Sequence, residues 1–591
     1  MRSTTQKRRD EFFAKHSGKP LVRGTIRRNW NGRGDFTRHY GQSIVMFTMR
    51  TCALNQQLDE ANAAVRELCE YHLERPKTFF EIHSFPSVCR GLARLYHFYG
   101  PHGLKTANRL SKETCALLEK TMWEWLNEKS KFEEAEVKHS KTWWIHHSEN
   151  HHANHFTTCW LFSGILRNSP VYRDNKFKAG RTPTEHYQAW TIYLKEYLRQ
   201  RARKGMFIEI DSPSYATVVI NTMYDCYDFS DDPVLKRRAG QLLELYWAQW
   251  AEQQIDAVTG GAKTRCYSDK IFSSCGFLLS AACYAMGSRE AELYHLSMVP
   301  SVTTSWRVPD VVLRIAANRG SYVPYEVLQR RPGLVLEGYH RPPDYRLKIN
   351  SGGILRYTYC TPDFIMGSLI TEARPDEDWA AISSQNRWAG VVFKGHPDAR
   401  VFAVPYDDKG SKALNGFWSL QSKGTTITQK LTQNPRGWRV FFSNAGLSEP
   451  VKRGSWFFAE AESAYVGVRI VNGKTTWEAH EAGRWLVCSD PKTPVIIEAA
   501  RKADHKSFTA FQDTLTARLL SFKRSVLTYQ SLGGATLTFY ADKSRIGEVN
   551  GTPVNLAPQN VYDSPFVKSN WDSGVVTLQC GEERRMLDLN E

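Results

Sequence analysis

From about residue 40 to about residue 330, apolar side chains recur every three or four positions, the spacing of helices that each bury one face. The stretch DDPVLKRRAGQLLELYWAQWAEQ shows this most plainly. Leu235, Ala239, Leu242, Leu243, Tyr246, Trp247 and Trp250 fall on one stripe, Asp232 is placed to cap the first turn, and Pro233 suits the first helical position. Similar stripes run through SIVMFTMRTCALNQQLDEANAAVRELCEYHL and SVCRGLARLYHFYG. Many amphipathic helices joined by short loops predict a helical toroid or solenoid, and no sequence repeat names a solenoid family.

After about residue 340 the period changes. GWRVFFSN, AYVGVRIVNGKTTWEAH, TPVIIEAA and ATLTFYAD alternate or run β-branched, and Asn472-Gly473 and Asn550-Gly551 are hairpin-type turns. NRGSYVPYEVLQRRPGLVLEGYHRPPDY, rich in Pro, Gly and Arg, reads as the connection. The expected fold is thus α+β and multidomain: a basic N-terminal segment over 1–40, an (α/α) toroid or incomplete barrel over 41–335, and an antiparallel β-sandwich over 345–591.

Composition changes this picture in two ways. With 591 residues, 41% hydrophobic and 24% charged, the chain has the make-up of a soluble globular protein, and its 18 tryptophans allow either core packing or stacking against sugar rings. The net charge of +17 suits an acidic partner, whether nucleic acid, anionic lipid or acidic polysaccharide. No long Lys/Arg tract marks a nucleic-acid tail and no apolar run is long enough to span a bilayer, so neither nucleic acid nor a membrane span is expected. The first thirty residues lack the apolar centre of a signal peptide, which leaves a cytoplasmic protein or one whose leader has been removed. Twelve scattered cysteines without CxxC pairs read as small buried hydrophobes.

Candidate chemistry concentrates in WWIHHSENHHANHF. On a helix, His147, His151 and His155 would lie one turn apart, a spacing able to hold a metal, but there is no HExxH order and no carboxylate with a clear ligand role. No metal or other cofactor is therefore assigned, with a structural divalent ion left open. A polar cluster packed among tryptophans is the plain alternative, and an active site the third. A second segment, KGMFIEIDSPSYATVVINTMYDCYDF, places Tyr215 at the start of a helix with Glu209 and Asp211 on the approach. Capping by Asp211 or Ser212, with Pro213 in the first turn, accounts for everything there except the tyrosine. In a third, TGGAKTRCYSDK, Arg265 and Tyr267 follow a glycine turn and either form a basic surface loop or reach the same cleft. Glu81 and His83 in FFEIHSFPSVCRG are further cleft candidates, as are Trp144, His147 and Glu149. In the β portion His396 is either a site residue or an ordinary strand-end histidine.

An Asn-His pair on a helix, followed some tens of residues later by G-x-x-x-E-x-x-S-P-x-Y, resembles the heparinase II/III type of polysaccharide lyase and its alginate-lyase relatives. In that family an (α/α) toroid precedes antiparallel sheets. The resemblance covers residues 80–590 in layout and only the short motifs closely. It implies that Asn150 and His151 match the family's Asn-His pair and Tyr215 its tyrosine. The 65 positions from Asn150 to Tyr215 form a longer interval than expected, with RNSPVYRDNKFKAGRTPTEH as the insertion, and Ala216 stands where the family has a histidine.

Such a lyase removes the C5 proton of a uronate and expels the 4-linked oxygen. The substrate carboxylate must be neutralised without a titrating group, which the resemblance gives to Asn150. A tyrosine brought below its ordinary value of about 10 by a cation can act as base and acid; Tyr215 is the first candidate, Arg265 the candidate cation and Tyr267 the alternative phenol. His151 would be a base for the opposite C5 epimer or would orient the site. An inverting glycoside hydrolase on a helical barrel needs two carboxyls about 6.5 to 9.5 Å apart, for which Glu149, Glu209 and Asp211 are available. A non-catalytic acidic-glycan-binding protein would also explain the charge and the aromatics.

Overall fold

A computed structural model describes residues 2–21, 39–76, 85–130, 132–135, 142–146, 148–287, 293–332, 336–337, 344–347, 349–350, 353–371, 387–405, 417–430 and 437–591. Helices dominate up to Asn318 and strands, mostly antiparallel, dominate from Tyr325 onward, so the chain is α+β. It divides into two compact units. The first comprises Met1–Arg199, Thr217–Leu243 and Tyr284–Arg307; the second comprises Gln200–Ala216, Glu244–Cys283 and Val308–Glu591. The segments 200–216 and 244–283, helical or loop-like in sequence, thus cluster with the strands.

Helix ends in the first unit follow local chemistry. The Ser111 side chain accepts from the Thr114 N–H at 3.2 Å to start the helix Lys112–Lys129. Asp232 Oδ1 accepts from the Leu235 N–H at 2.8 Å, as its position before Pro233 predicts, and the helix runs Pro233–Glu252. What fixes the packing of this unit is a buried charge network absent from any apolar pattern. On the helix Phe85–Tyr99, Arg90 donates to Asp225 Oδ2 through Nε at 3.0 Å and Nη2 at 2.7 Å, and to Asn154 Oδ1 at 2.9 Å. One turn on, Arg94 Nη2 lies 3.2 Å from Asp225 Oδ1 and 2.7 Å from Asp228 Oδ2. Asp228 in turn accepts from the Ser305 N–H at 2.9 Å. Three helices and a turn are thereby joined through groups that are nearly solvent-free.

The strand-rich part of the second unit begins with a strand where a connection is expected. Tyr325–Arg331 pairs antiparallel with Ile354–Cys360, and Tyr325, Val327 and Arg331 turn inward while Glu326 is exposed. Its inward Gln329 and Arg331 hide the period-two signal in the sequence. Pairing continues through Phe364–Thr371, Gly390–Phe393, Arg400–Pro405, Trp438–Ser443 and Gly483–Cys488 to Thr475–His480. A second series pairs Phe417–Ser422 with Thr425–Lys430, then Val495–Arg501, Ala464–Ile470 and Trp456–Glu460. Side chains of both series, among them Val391, Val440, Val466 and Ile497, share one apolar core. Trp418, Phe458 and Ile496 enter a second core with Phe511, Leu527 and Phe539 of the C-terminal helix and hairpins.

The Asn550-Gly551 turn is a two-residue hairpin, Val549 facing Thr552, with both central residues at positive φ. Asn472-Gly473 is not: the strand before it pairs with Val495–Arg501 and the strand after it with Gly483–Cys488, so the turn passes the chain to a different neighbour. Eleven of the twelve cysteines are buried and all are free thiols; Cys275 is exposed. Among the described residues no helix is long and apolar enough to cross a membrane.

Two stability measurements follow from these cores. Asp225→Ala leaves two buried guanidiniums without their shared acceptor and is expected to lower the unfolding free energy by about 3–5 kcal/mol in denaturant titration; a loss under about 1 kcal/mol would show that the network is not holding the helices. In the second unit burial pushes the Glu252 carboxyl up to about 8, against the hydrogen bond from Ser564 and the charge of Arg356. Between about 4.5 and about 8 the folded state therefore holds a proton that the unfolded state has lost, and stability falls as pH rises through that window. Glu252→Gln should flatten this part of the thermal-stability profile and leave the melting point at pH 8 higher than that of the parent.

Candidate active site

The approach to Tyr215 is built by one buried ion pair. Arg356, on the strand Ile354–Cys360, donates through Nη2 to Asp211 and through Nε to the Ala262 carbonyl at 3.0 Å. Tyr246 donates to the other Asp211 oxygen at 3.1 Å. One side chain thus anchors both segments that carry the candidate residues, 205–215 and 260–267. Further bonds knit them: the Ile210 N–H donates to Thr264 Oγ1 at 2.8 Å, and the Thr264 N–H to the Ile210 carbonyl at 2.9 Å. Gly205 stands at φ +85 with the Arg330 carbonyl oxygen 2.2 Å from where a Cβ would be, so no other residue fits the entry to this segment. Ser212, rather than Asp211, supplies the cap: its Oγ accepts from the Tyr215 N–H at 3.2 Å and donates to the Arg265 carbonyl at 3.0 Å.

These constraints bring Glu209, Tyr215, Arg265 and Tyr267 together within the second unit. Arg265 Nε lies 3.0 Å from Glu209 Oε1, and Glu209 is fully buried. The guanidinium carbon sits 4.6 Å from the Tyr215 ring centre and 5.1 Å from that of Tyr267, and Nη1 donates to the Tyr267 phenol. The two rings meet edge to face at 6.0 Å. Arg265 itself is held at φ +54, a left-handed conformation costly for a residue with a Cβ. Burial pushes the Tyr267 phenol up to about 12; Arg265 opposes this, while Tyr215 and Glu209 add to it. The result is a phenol that keeps its proton at neutral pH, beside a second phenol and a fixed cation.

In the first unit, the histidine-rich stretch enters the helix Glu149–Leu166. Its cap is Ser148, whose Oγ accepts from Asn150 Nδ2 at 2.9 Å and from the His151 N–H at 3.5 Å. Glu149 and Asn150 are buried, His151 is half-buried, and Trp144 is 44% exposed. His152 Nε2 hydrogen-bonds the Tyr193 hydroxyl at 2.7 Å. His155 Nε2 hydrogen-bonds Glu134 at 2.9 Å between the rings of Trp125 and Trp190. Burial works against protonation of His155, but its contacts with Cys159 and Glu134 outweigh it and hold the imidazole above its ordinary range. These two histidines are tied into packing, as a polar cluster among aromatics requires. Of the proposed metal stripe, His151 and His155 lie on this helix. Among the described residues no group of three or more His, Cys, Asp or Glu side chains is arranged to hold a metal ion.

Glu81, His83 and His147 lie outside the described residues. His396 is exposed in the turn before the strand Arg400–Pro405, its Nδ1 accepting from the Asp398 N–H at 3.1 Å. Two residues beside the tyrosine cluster escaped the sequence reading. Arg356 was visible only as a charge inside the apolar strand ILRYTYC. Lys263, in the same short segment as Arg265, is buried with Nζ 4.1 Å from the Trp388 ring centre and donating to the Thr259 carbonyl at 2.8 Å; burial pushes it down to about 7. It lines a cavity of about 40 Å³ with Asp211, Lys270, Cys275, Trp388 and Arg400, room for water rather than for a sugar. No protein-family model and no curated protein matches the chain.

The electrostatics of the cluster are open to titration. Because the Glu209 charge raises the Tyr267 phenol and competes for Arg265, Glu209→Gln is expected to move the Tyr267 ionisation downward from about 12, read by carbon NMR of ring-labelled tyrosine. An unmoved titration would mean that Glu209 and Tyr267 are not coupled through Arg265.

Proposed function

We propose that the chain is a polysaccharide lyase of the heparinase II/III-like and alginate-lyase-like kind, with an (α/α) toroid and a β-sandwich, that cleaves a uronic-acid-containing acidic polysaccharide by β-elimination. Arg265 is the observation that carries this reading: a guanidinium hydrogen-bonded to one phenol, facing the ring of a second and braced by a buried carboxylate. Elimination needs a proton acceptor and a proton donor near a carboxylate substrate, and this group of side chains supplies two phenols and a cation without any redox or nucleotide cofactor.

In this reading Tyr215, as the phenolate, takes the C5 proton. The C4–O4 bond breaks with its electron pair going to O4, a C4=C5 double bond forms, and Tyr267, protonated up to about pH 12, gives O4 its proton. The Asn-His resemblance alone gives Asn150 the role of an uncharged donor to the substrate carboxylate and His151 that of orienting the sugar. Two of the three carboxylates a hydrolase would use are otherwise engaged. Glu209 is paired with Arg265 and Asp211 with Arg356, which leaves neither placed to protonate a glycosidic oxygen.

Incubation with glucuronan, alginate, heparin-type and chondroitin-type polymers is the direct test. One of them should yield a product that absorbs in the ultraviolet through its conjugated unsaturated uronate. Tyr215→Phe and Tyr267→Phe should each abolish turnover with folding intact, and Asn150→Ala should lower it by roughly a hundredfold. Because burial keeps the Tyr267 proton up to about 12, the rate should not fall below that pH through loss of the acid. Reducing ends without absorbance would replace elimination by hydrolysis, and full activity in both phenylalanine variants would remove the tyrosines from the chemistry.

A further inference from the structure

A second cavity of about 280 Å³ opens in the second unit, between the tip of the hairpin formed by Phe417–Ser422 and Thr425–Lys430, the end of the strand Val495–Arg501 and the end of the helix Phe508–Thr516. Tyr359, Lys423, Glu498, Arg501, Asp504, His505 and Arg518 line it. That is seven times the space beside Lys263 and close to the lower bound of small-molecule pockets, about 300 Å³.

The charges around it are unevenly matched. Arg501 is paired with Asp363 at 2.7 Å. Among the described residues, Lys423 and Arg518 have no carboxylate within ion-pair distance, and the exposed Asp504 is the one carboxylate on the lining that sets a negative charge against these two. At the floor, Glu498 accepts from Thr425 Oγ1 at 2.7 Å, from the Leu532 N–H at 2.6 Å and from the Tyr529 hydroxyl, so its oxygens are occupied. Burial pushes this carboxyl up to about 7, against those hydrogen bonds, which leaves it only partly charged at neutral pH. Burial likewise lowers the His505 imidazole from its ordinary value, leaving it a neutral hydrogen-bonding group.

Lys423 is held in a conformation that its side chain does not favour. It sits at φ +49 at the hairpin tip, where glycine or asparagine would cost less. The next residue, Gly424, has the Ala499 carbonyl oxygen 2.6 Å from where a Cβ would be, so the turn is pressed against the strand behind it and cannot relax. The backbone that brings this lysine to the cavity lining is thus held in place, in a turn that would favour a glycine or asparagine there.

We propose that this cavity is a binding subsite for a carboxylate-bearing sugar unit, with the anionic group at Lys423 and Arg518 and the ring against Tyr359. The choice of a sugar acid rests on the lyase reading; the preference for an anion rests on the cavity alone. A subsite of this kind would hold a part of the polymer that does not react, adding affinity without entering the elimination step.

Methyl β-D-glucuronoside is a suitable probe, because it has no 4-linked group to expel and cannot be consumed. Calorimetric titration of the full chain should show binding, with the neutral methyl β-D-glucoside at least tenfold weaker. The double variant Lys423→Asn/Arg518→Gln, which keeps a residue tolerant of the turn, should weaken the glucuronoside at least tenfold with an unchanged melting temperature. Equal affinity in the variant would overturn the assignment. So would equal binding of the glucoside, or full competition by inorganic sulfate at matched concentration, which would mark a general anion patch. Binding with no elimination from any polymer would remove the lyase reading and keep an acidic-sugar subsite. Elimination by a protein whose glucuronoside affinity ignores Lys423 and Arg518 would do the reverse.

Discussion

The Asp211–Arg356 pair is the constraint on which the tyrosine cluster depends. A carboxylate on a loop and a guanidinium on a strand are both removed from water, and such a pair is held in place by what either partner would lose alone: breaking it costs about 3–5 kcal/mol even where forming it adds little. Arg356 also binds the Ala262 carbonyl, so the same side chain fixes the second loop. Neither 205–215 nor 260–267 has much regular structure of its own, and their positions are set by this shared anchor rather than by helix or strand propensity. Ser212, bonded at once to the Tyr215 amide and the Arg265 carbonyl, transmits that fixed geometry to the two residues that face one another.

The elements whose burial follows a simple period were legible in the sequence, and those held by charge were not. Pro233–Glu252 is an apolar stripe behind an aspartate cap, and both features are local. Tyr325–Arg331 turns a glutamine and an arginine inward, and period-two reading fails because polarity there does not track exposure. The Asn472-Gly473 turn was identified by its residues, but which strands it joins is decided by distant pairing that no dipeptide encodes. At the site, Glu209, Tyr215, Arg265 and Tyr267 stand out as residue types in short motifs. Their supports, Arg356 and Lys263, do not, because a lone charge in a strand or loop looks the same whether it is buried or solvated.

Charge in this chain therefore does two kinds of work. In the first unit, Arg90 and Arg94 meet Asp225 and Asp228 in a set whose charges balance, and the network joins helices through groups already paired. At the 280 Å³ cavity the balance is left open, with Lys423 and Arg518 unpaired among the described residues. The overall +17 is uninformative by itself; its meaning lies in where cations lack a partner.

Arg265 lies between these extremes. Glu209 offsets its charge on one side, which makes a buried guanidinium tolerable, and two aromatic faces take up the rest of its surface. A fully neutralised arginine would do nothing for a phenol beside it, and an unpaired one would be too costly to bury. Pairing through Nε leaves Nη1 for the Tyr267 oxygen, so one guanidinium serves a structural partner and a chemical one at the same time. A lysine, a point charge on a flexible stem, has no planar fork with which to hold both. Since burial still keeps Tyr267 protonated, the cation's effect is to orient that proton rather than to remove it, as the proposed elimination would ask of its acid.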